Sequence, residues 1–259
     1  MMSEVLTADH GAVRVITMNR PEARNALGPD LMRALYAALQ TADADDAVRT
    51  VVLTGSDPAF CAGVDLKAAA RDGMTYFEEF RSRSCITAVR EMRTPIVGAV
   101  NGATFTGGLE IALGCDFLIA SERAVFADTH ARVGILPGGG MTAHLPQVVG
   151  FAMARRMSMT GEVIDAARAE RIGLVTEVVA HDRLLERALE LAGQIAEVPG
   201  PTMAGLKQIY TEGAAAVIDP ALAAEQRIAY AQQRDFGGLG DRFRAVTEHN
   251  KSQIGARRD

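Results

Sequence analysis

The chain has 259 residues, of which 48% are hydrophobic and 23% charged, with a formal net charge of −5. That supplies apolar material for one sizeable core, and no basic run interleaved with aromatic residues offers itself to a nucleic acid. No apolar stretch approaches the ~20 residues needed to span a bilayer, and the N-terminus lacks a basic region followed by an apolar one. The expectation is a cytoplasmic protein with no nucleic-acid or membrane partner.

In chain order, Val13 to Met18 is β-branched and short and reads as a strand. Gly28-Pro29 opens a helix whose Leu31, Leu35 and Leu39 recur at i, i+4 and i+8, one apolar stripe. Val51 to Gly55, Ile96 to Val100 and Phe117 to Ala120 are further strand candidates. The first is continuously apolar, as a strand covered on both faces would be. Leu174 to Val179 is the last strand expected. Beyond it, Pro201-Thr202-Met203 and Asp219-Pro220-Ala221 each look like helix starts. The pattern predicts an α/β core over residues 1–198, carrying the site, and a helical C-terminal section over 199–259.

The three cysteines, Cys61, Cys85 and Cys115, are far apart and form no C-x-x-C pair. They read as buried, reduced small hydrophobes, with no structural metal implied. Dinucleotide, P-loop, zinc-protease and serine-hydrolase signatures are all missing. Three glycine-bearing segments remain, each after a strand: Ala59 to Lys67, Asn101 to Glu110, and Val133 to Gly140. Each alone reads as a tight turn, although glycine there also lets backbone approach a ligand.

Glu110 adds chemistry to the second segment. In a helix beginning near Gly107, positions 107, 110 and 114 share a face. Two of the three are glycine, which predicts room beside the carboxylate. Leu109, Ile111, Ala112 and Leu113 make that helix apolar nearly all round. A carboxylate buried there is costly unless it is paired or used, so Glu110 is a candidate catalytic residue.

Taken together, the motifs resemble the enoyl-CoA hydratase/isomerase (crotonase-like) family. Asn19 to Leu27 (N-R-P-E-A-R-N-A-L) is similar to its N-R-P-K/E-x-x-N-A-L stretch, and Ala59 to Lys67 to its A-F-C/S-A-G-x-D-L/I-K segment. Asn101 to Asp116 is similar to its N-G-x-x-x-G-G-G-x-E-L/I-A-x-x-C-D segment, with Thr106 standing for the first glycine. The resemblance implies a spiral of β-β-α turns, C-terminal helices that build trimers or dimers of trimers, and an acyl-CoA thioester substrate. It implies no metal or redox cofactor.

By motif position, the backbone N–H groups of Val64 and Gly107 would hold the thioester oxygen. Ala62, Val64, Asp65, Leu66 and Lys67 would line the CoA path, with Asp65 capping a helix. Arg24 and Lys67 are candidates for the nucleotide phosphates. Glu110 matches one of the two glutamates that hold water in hydratases of the family, and His130 stands where the other belongs.

His130 has three readings: a replacement acid/base, the mark of another acyl-CoA reaction such as isomerisation, decarboxylation or thioester hydrolysis, or a satisfied structural histidine in a site that hydrates poorly or not at all; a non-catalytic acyl-CoA-binding protein is the further alternative. Asp128, two residues earlier, is a weaker candidate for a compensating carboxylate. The family's C-terminal E-K-R-x-P-x-F-x-G pattern is replaced by Thr247-Glu248-His249-Asn250-Lys251-Ser252-Gln253, so no C-terminal residue is carried over. The expected activity is addition of water to a trans-2-enoyl-CoA.

Overall fold

The computed structural model describes residues 3–82, 84–232 and 238–255. The chain opens with β1 (Val5–His10), antiparallel to β2 (Val13–Met18), and crosses over through α1 (Pro29–Ala44) to β3 (Thr50–Gly55). Three turns of one plan follow. β3 leads to β4 (Ala59–Cys61) and the helices α2 (Leu66–Asp72), α3 (Met74–Ser82) and α4 (Cys85–Glu91). β5 (Ile96–Val100) leads to β6 (Ala103–Phe105) and α5 (Gly107–Gly114). β7 (Phe117–Ser121) leads to β8 (Val125–Ala127) and the helices α6 (His130–Val133), α7 (Met141–Val149) and α8 (Phe151–Thr160). The chain closes with β9 (Ile164–Asp165), α9 (Ala166–Arg171), β10 (Glu177–Val179), α10 (Leu184–Glu197), α11 (Gly200–Ala231) and α12 (Leu239–Gly255).

In each turn one strand joins a larger sheet and the next joins a smaller one. The sheets run β1-β2-β3-β5-β7-β10, parallel from β2 onward, and β4-β6-β8-β9, with only β9 antiparallel. The architecture is therefore an α/β spiral of β-β-α turns with a helical C-terminal section.

Strand alternation explains the continuous apolar runs. Val51, Leu53, Ile96, Val100 and Leu118 face the main core, which also holds Leu31, Leu35 and Leu39 of α1. Their neighbours Val52, Val97, Ala99 and Ile119 face the other way, onto Leu184, Ala188 and Ala192 of α10. Both faces are covered, so the central positions of these strands are without polar side chains. Full burial of each valine, leucine or isoleucine among them contributes roughly 1.5–3 kcal/mol. All three cysteines are free and buried, and burial raises the pKa of each thiol.

Two expectations need correction, and one strand was not foreseen. Asp219-Pro220 starts no helix: α11 runs unbroken through Pro220. A proline inside a helix costs ~3 kcal/mol, which the alanine-rich flanks 214–216 and 221–224 and contact with α7 offset. The last strand starts late, because the Leu174 N–H turns back to the Ala169 carbonyl (2.8 Å) and only from Thr176 does the chain bond to β7. β1 carried no apolar signal, since only Val5 of its six residues is buried.

Among the described residues, no helix is long and apolar enough to cross a membrane.

Candidate functional site

The segments that stood out in the sequence meet at one cleft of about 560 Å³. Arg24, Ala62, Val64, Asp65, Leu66 and Lys67 all line it, as do Thr106 and His130. Gly107 and Glu110 are not among the lining residues; they lie on α5, directly behind Thr106.

The Asn19–Leu27 stretch builds the first wall. Asn25 is fully buried with φ 54°. Its Oδ1 accepts from the Arg20 N–H (2.8 Å), and its Nδ2 donates to the carbonyls of Ser56 (2.8 Å) and Ala59 (2.7 Å). That clamp sets Leu27 beside Val64: the Leu27 N–H donates to the Gly63 carbonyl (2.8 Å), and the Ala62 N–H to the Arg24 carbonyl (3.0 Å). Asp65 caps α2 as expected. Its Oδ1 accepts from the Lys67 and Ala68 N–H groups, both at 3.1 Å, while its Oδ2 pairs with Arg20 at 2.9 Å.

The start of α5 presses against this wall. A methyl group on Gly108 would lie 2.1 Å from the Cys61 carbonyl oxygen, and one on Gly107 3.8 Å from the Gly63 Cα. Val64 and Gly107 are thus neighbours across the junction, and neither backbone N–H donates to an acceptor among the described residues. The predicted room beside Glu110 is filled instead: methyl groups at Gly107 and Gly114 would come within 3.1 Å of Leu27 and Val89. These glycines serve close approach of α5 to its neighbours.

Glu110 is 4% exposed. Its Oε1 accepts from the Gly139 N–H (2.9 Å) and the Met141 N–H (3.3 Å), and a methyl group on Gly139 would strike the carboxylate at 2.6 Å. The third glycine segment therefore wraps this side chain. Burial pushes the Glu110 carboxyl up to about 7; the charge on His130 opposes the rise and that on Glu225 adds to it.

His130 opens α6, and its Nδ1 bonds Asp128 Oδ1 at 2.7 Å. Its Nε2 faces no protein partner and is not sealed from the cleft. Burial by itself would lower the His130 pKa. The Asp128 charge and hydrogen bond, with Glu110 and Glu225, outweigh it and push it up to about 9. Burial likewise opposes ionisation of Asp128, but His130 and a hydrogen bond from Ser158 hold its carboxyl below the usual range. The pair is an imidazolium–carboxylate couple with one imidazole N–H left over, and Asp128 is its orienting member.

Sequence reasoning missed two contributions. Glu225, on α11, is buried; its Oε1 accepts from the Gly140 N–H (2.7 Å) and its Oε2 from the Thr142 N–H and hydroxyl (both 2.6 Å). The free N–H groups at the start of α7 are thus divided between two carboxylates, Glu110 and Glu225. One of two glutamates on a long alanine-rich helix, Glu225 gives no sign of this in the sequence. Glu225→Ala takes the acceptor from three donors, of which the Gly140 N–H is buried; a buried donor left unpaired costs on the order of 1–3 kcal/mol. Urea unfolding should show that loss; unchanged stability would remove this role from Glu225.

The second contribution is α12, whose Phe243, Val246, Asn250, Lys251 and Ile254 line the cleft. Lys251 joins Arg24 and Lys67 as exposed cations at the cleft with no carboxylate partner among the described residues. Among the described residues, no group of three or more His, Cys, Asp or Glu side chains has the arrangement to hold a metal ion.

Comparison with known proteins follows the same lines. The family model described as enoyl-CoA hydratase/isomerase matches residues 8–236. A probable enoyl-CoA hydratase of Rhizobium meliloti (strain 1021) is 41% identical over 86% of this chain and 87% of its own length. The 2,3-dehydroadipyl-CoA hydratase of Escherichia coli (strain K12) is 33% identical over 88% of this chain and 89% of its own length. The crystal structure of an enoyl-CoA hydratase from Mycobacterium avium is similar at a TM-score of 0.80 and 44% identity, covering 92% of this chain and 99% of that one.

Proposed function

From the premise that the chain belongs to the enoyl-CoA hydratase/isomerase family, we propose that it adds water to a trans-2-enoyl-CoA to give a 3-hydroxyacyl-CoA. The observation that carries this reading is the pairing of two buried ionisable groups of opposite role, Glu110 and the Asp128-held His130, beside two unpaired backbone donors.

Glu110, poised near neutrality, takes a proton from water as the water oxygen bonds to C3. The electrons of the double bond move onto the thioester oxygen, giving an enolate. The Val64 and Gly107 N–H groups stabilise that oxyanion; a single preorganised donor of this kind contributes ~2.7–4 kcal/mol. As the enolate collapses, the His130 imidazolium gives its Nε2 proton to C2. One water has then been added, Glu110 is protonated and His130 is neutral. Return of the proton from Glu110 to His130 restores the starting state. No redox change occurs, and no cofactor beyond the CoA thioester is needed.

Arg24, Lys67 and Lys251 offer positive charge to the CoA phosphates at the mouth of the cleft, and the segment from Ala62 to Leu66 lines the path inward. Exposed Leu206, Ile209, Tyr210 and Val217 on α11 support assembly into a trimer or a dimer of trimers; a monomer in sedimentation velocity would sink that assembly. We place the protein in the cytoplasm.

The test of the activity is product analysis after incubation with a trans-2-enoyl-CoA in ¹⁸O-water. Label at C3 of a 3-hydroxyacyl-CoA is the expected result. Free CoA or a shifted double bond instead would assign a different reaction to the same site.

A further inference from the structure

Thr106 stands at the N-terminus of α5 with φ 48° and ψ −116°, a backbone conformation that glycine adopts freely and a β-branched residue does not. Its N–H donates to the Ala127 carbonyl (3.1 Å) and its carbonyl accepts from the Glu110 N–H (3.0 Å), so the backbone is held in place from both sides. Its side chain does no capping, and its hydroxyl has no protein hydrogen-bond partner. The residue is 8% exposed and lines the cleft, and the oxygen is not among the sealed polar atoms.

The position of that oxygen is specific. A methyl group on Gly63 would lie 1.9 Å from Thr106 Oγ1, so the hydroxyl rests against the Gly63 backbone. Gly63 immediately precedes Val64, and Thr106 immediately precedes Gly107. The hydroxyl therefore sits at the junction of the two residues whose backbone N–H groups face no protein acceptor. Strain kept at a site is retained where the surrounding structure enforces it and the side chain has a use.

We propose that the Thr106 hydroxyl is a third donor to the thioester oxygen, completing the cradle formed by the Val64 and Gly107 N–H groups. This rests on the placement of the thioester oxygen given above. The hydroxyl hydrogen is free to rotate, so Oγ1 can turn its O–H toward charge that develops on the oxygen as the enolate forms. Glycine at position 106 would relieve the backbone but surrender the donor.

Two measurements test it, each on Thr106→Ala, Thr106→Gly and Thr106→Ser in the full chain. The first is steady-state hydration. Thr106→Ala and Thr106→Gly should lose about 10²-fold in kcat, as for removal of one oxyanion donor, with little change in KM. Thr106→Ser should stay close to wild type. Thr106→Gly should also melt at a higher temperature than wild type, which separates loss of function from loss of fold. Full activity in Thr106→Gly would overturn the proposal.

The second measurement needs no turnover. Bound cinnamoyl-CoA absorbs at longer wavelength when its carbonyl is polarised. A red shift in the wild type that shrinks in Thr106→Ala and survives in Thr106→Ser is the expected result. An equal shift in wild type and Thr106→Ala overturns the role of the hydroxyl while leaving the backbone cradle intact. No shift in the wild type overturns the cradle and the proposal with it.

Discussion

Glu110→Gln is expected to lower kcat for enoyl-CoA hydration by about 10²–10⁴-fold, the range of a lost general base, with KM little changed. Glutamine keeps the shape of the side chain and an oxygen to accept from the Gly139 and Met141 N–H groups, so the turn it organises should persist. What disappears is the capacity to take a proton from water. In the proposed mechanism Glu110 acts on water and not on the thioester, so the ground-state complex should lose little. A variant with wild-type kcat would remove Glu110 from the chemistry; one with unchanged kcat and a raised KM would make it a binding residue.

The second large effect is on the pH profile. The proposed mechanism requires Glu110 ionised and His130 protonated. The wild-type kcat/KM should therefore rise as pH passes about 7 and fall as it passes about 9. Asp128 raises the His130 pKa by charge and hydrogen bond, so Asp128→Asn should move the alkaline limb to lower pH and reduce the maximum. His130→Gln should abolish the alkaline limb. It also removes a cation that holds the Glu110 pKa down, so the acidic limb should move to higher pH. Because the two groups act on each other through charge, they titrate as a pair and the two limbs report the couple. An alkaline limb that ignores Asp128→Asn would contradict the proposed imidazolium acid.

These predictions rest on residues that were unequally legible before folding. The strands of the large sheet were readable because both faces are buried, which leaves a run such as Val51-Val52-Leu53 with no polar position. The three-residue strands β4, β6 and β8 were not, being too short for any periodicity to register. Glu110 announced itself as a carboxylate on an apolar helix. The backbone donors at Val64 and Gly107 carry no side-chain signal, and only the family resemblance pointed to them. Glu225 and α12 were hidden because they reach the site from far along the chain. The free face of His130 was hidden as well, since it depends on which nitrogen Asp128 occupies.

The strain at Thr106 was visible only as a missing glycine. Its meaning needed the φ value and the contact with Gly63.

Whether a site with histidine in place of the second carboxylate hydrates at all is the decisive question. Loss of the conjugated-enoyl absorbance of crotonyl-CoA, followed with purified wild-type protein at pH 8, measures this in one experiment. Steady, enzyme-dependent loss of absorbance that His130→Gln largely abolishes is the predicted result. No loss in the wild type, or equal loss in His130→Gln, would contradict it.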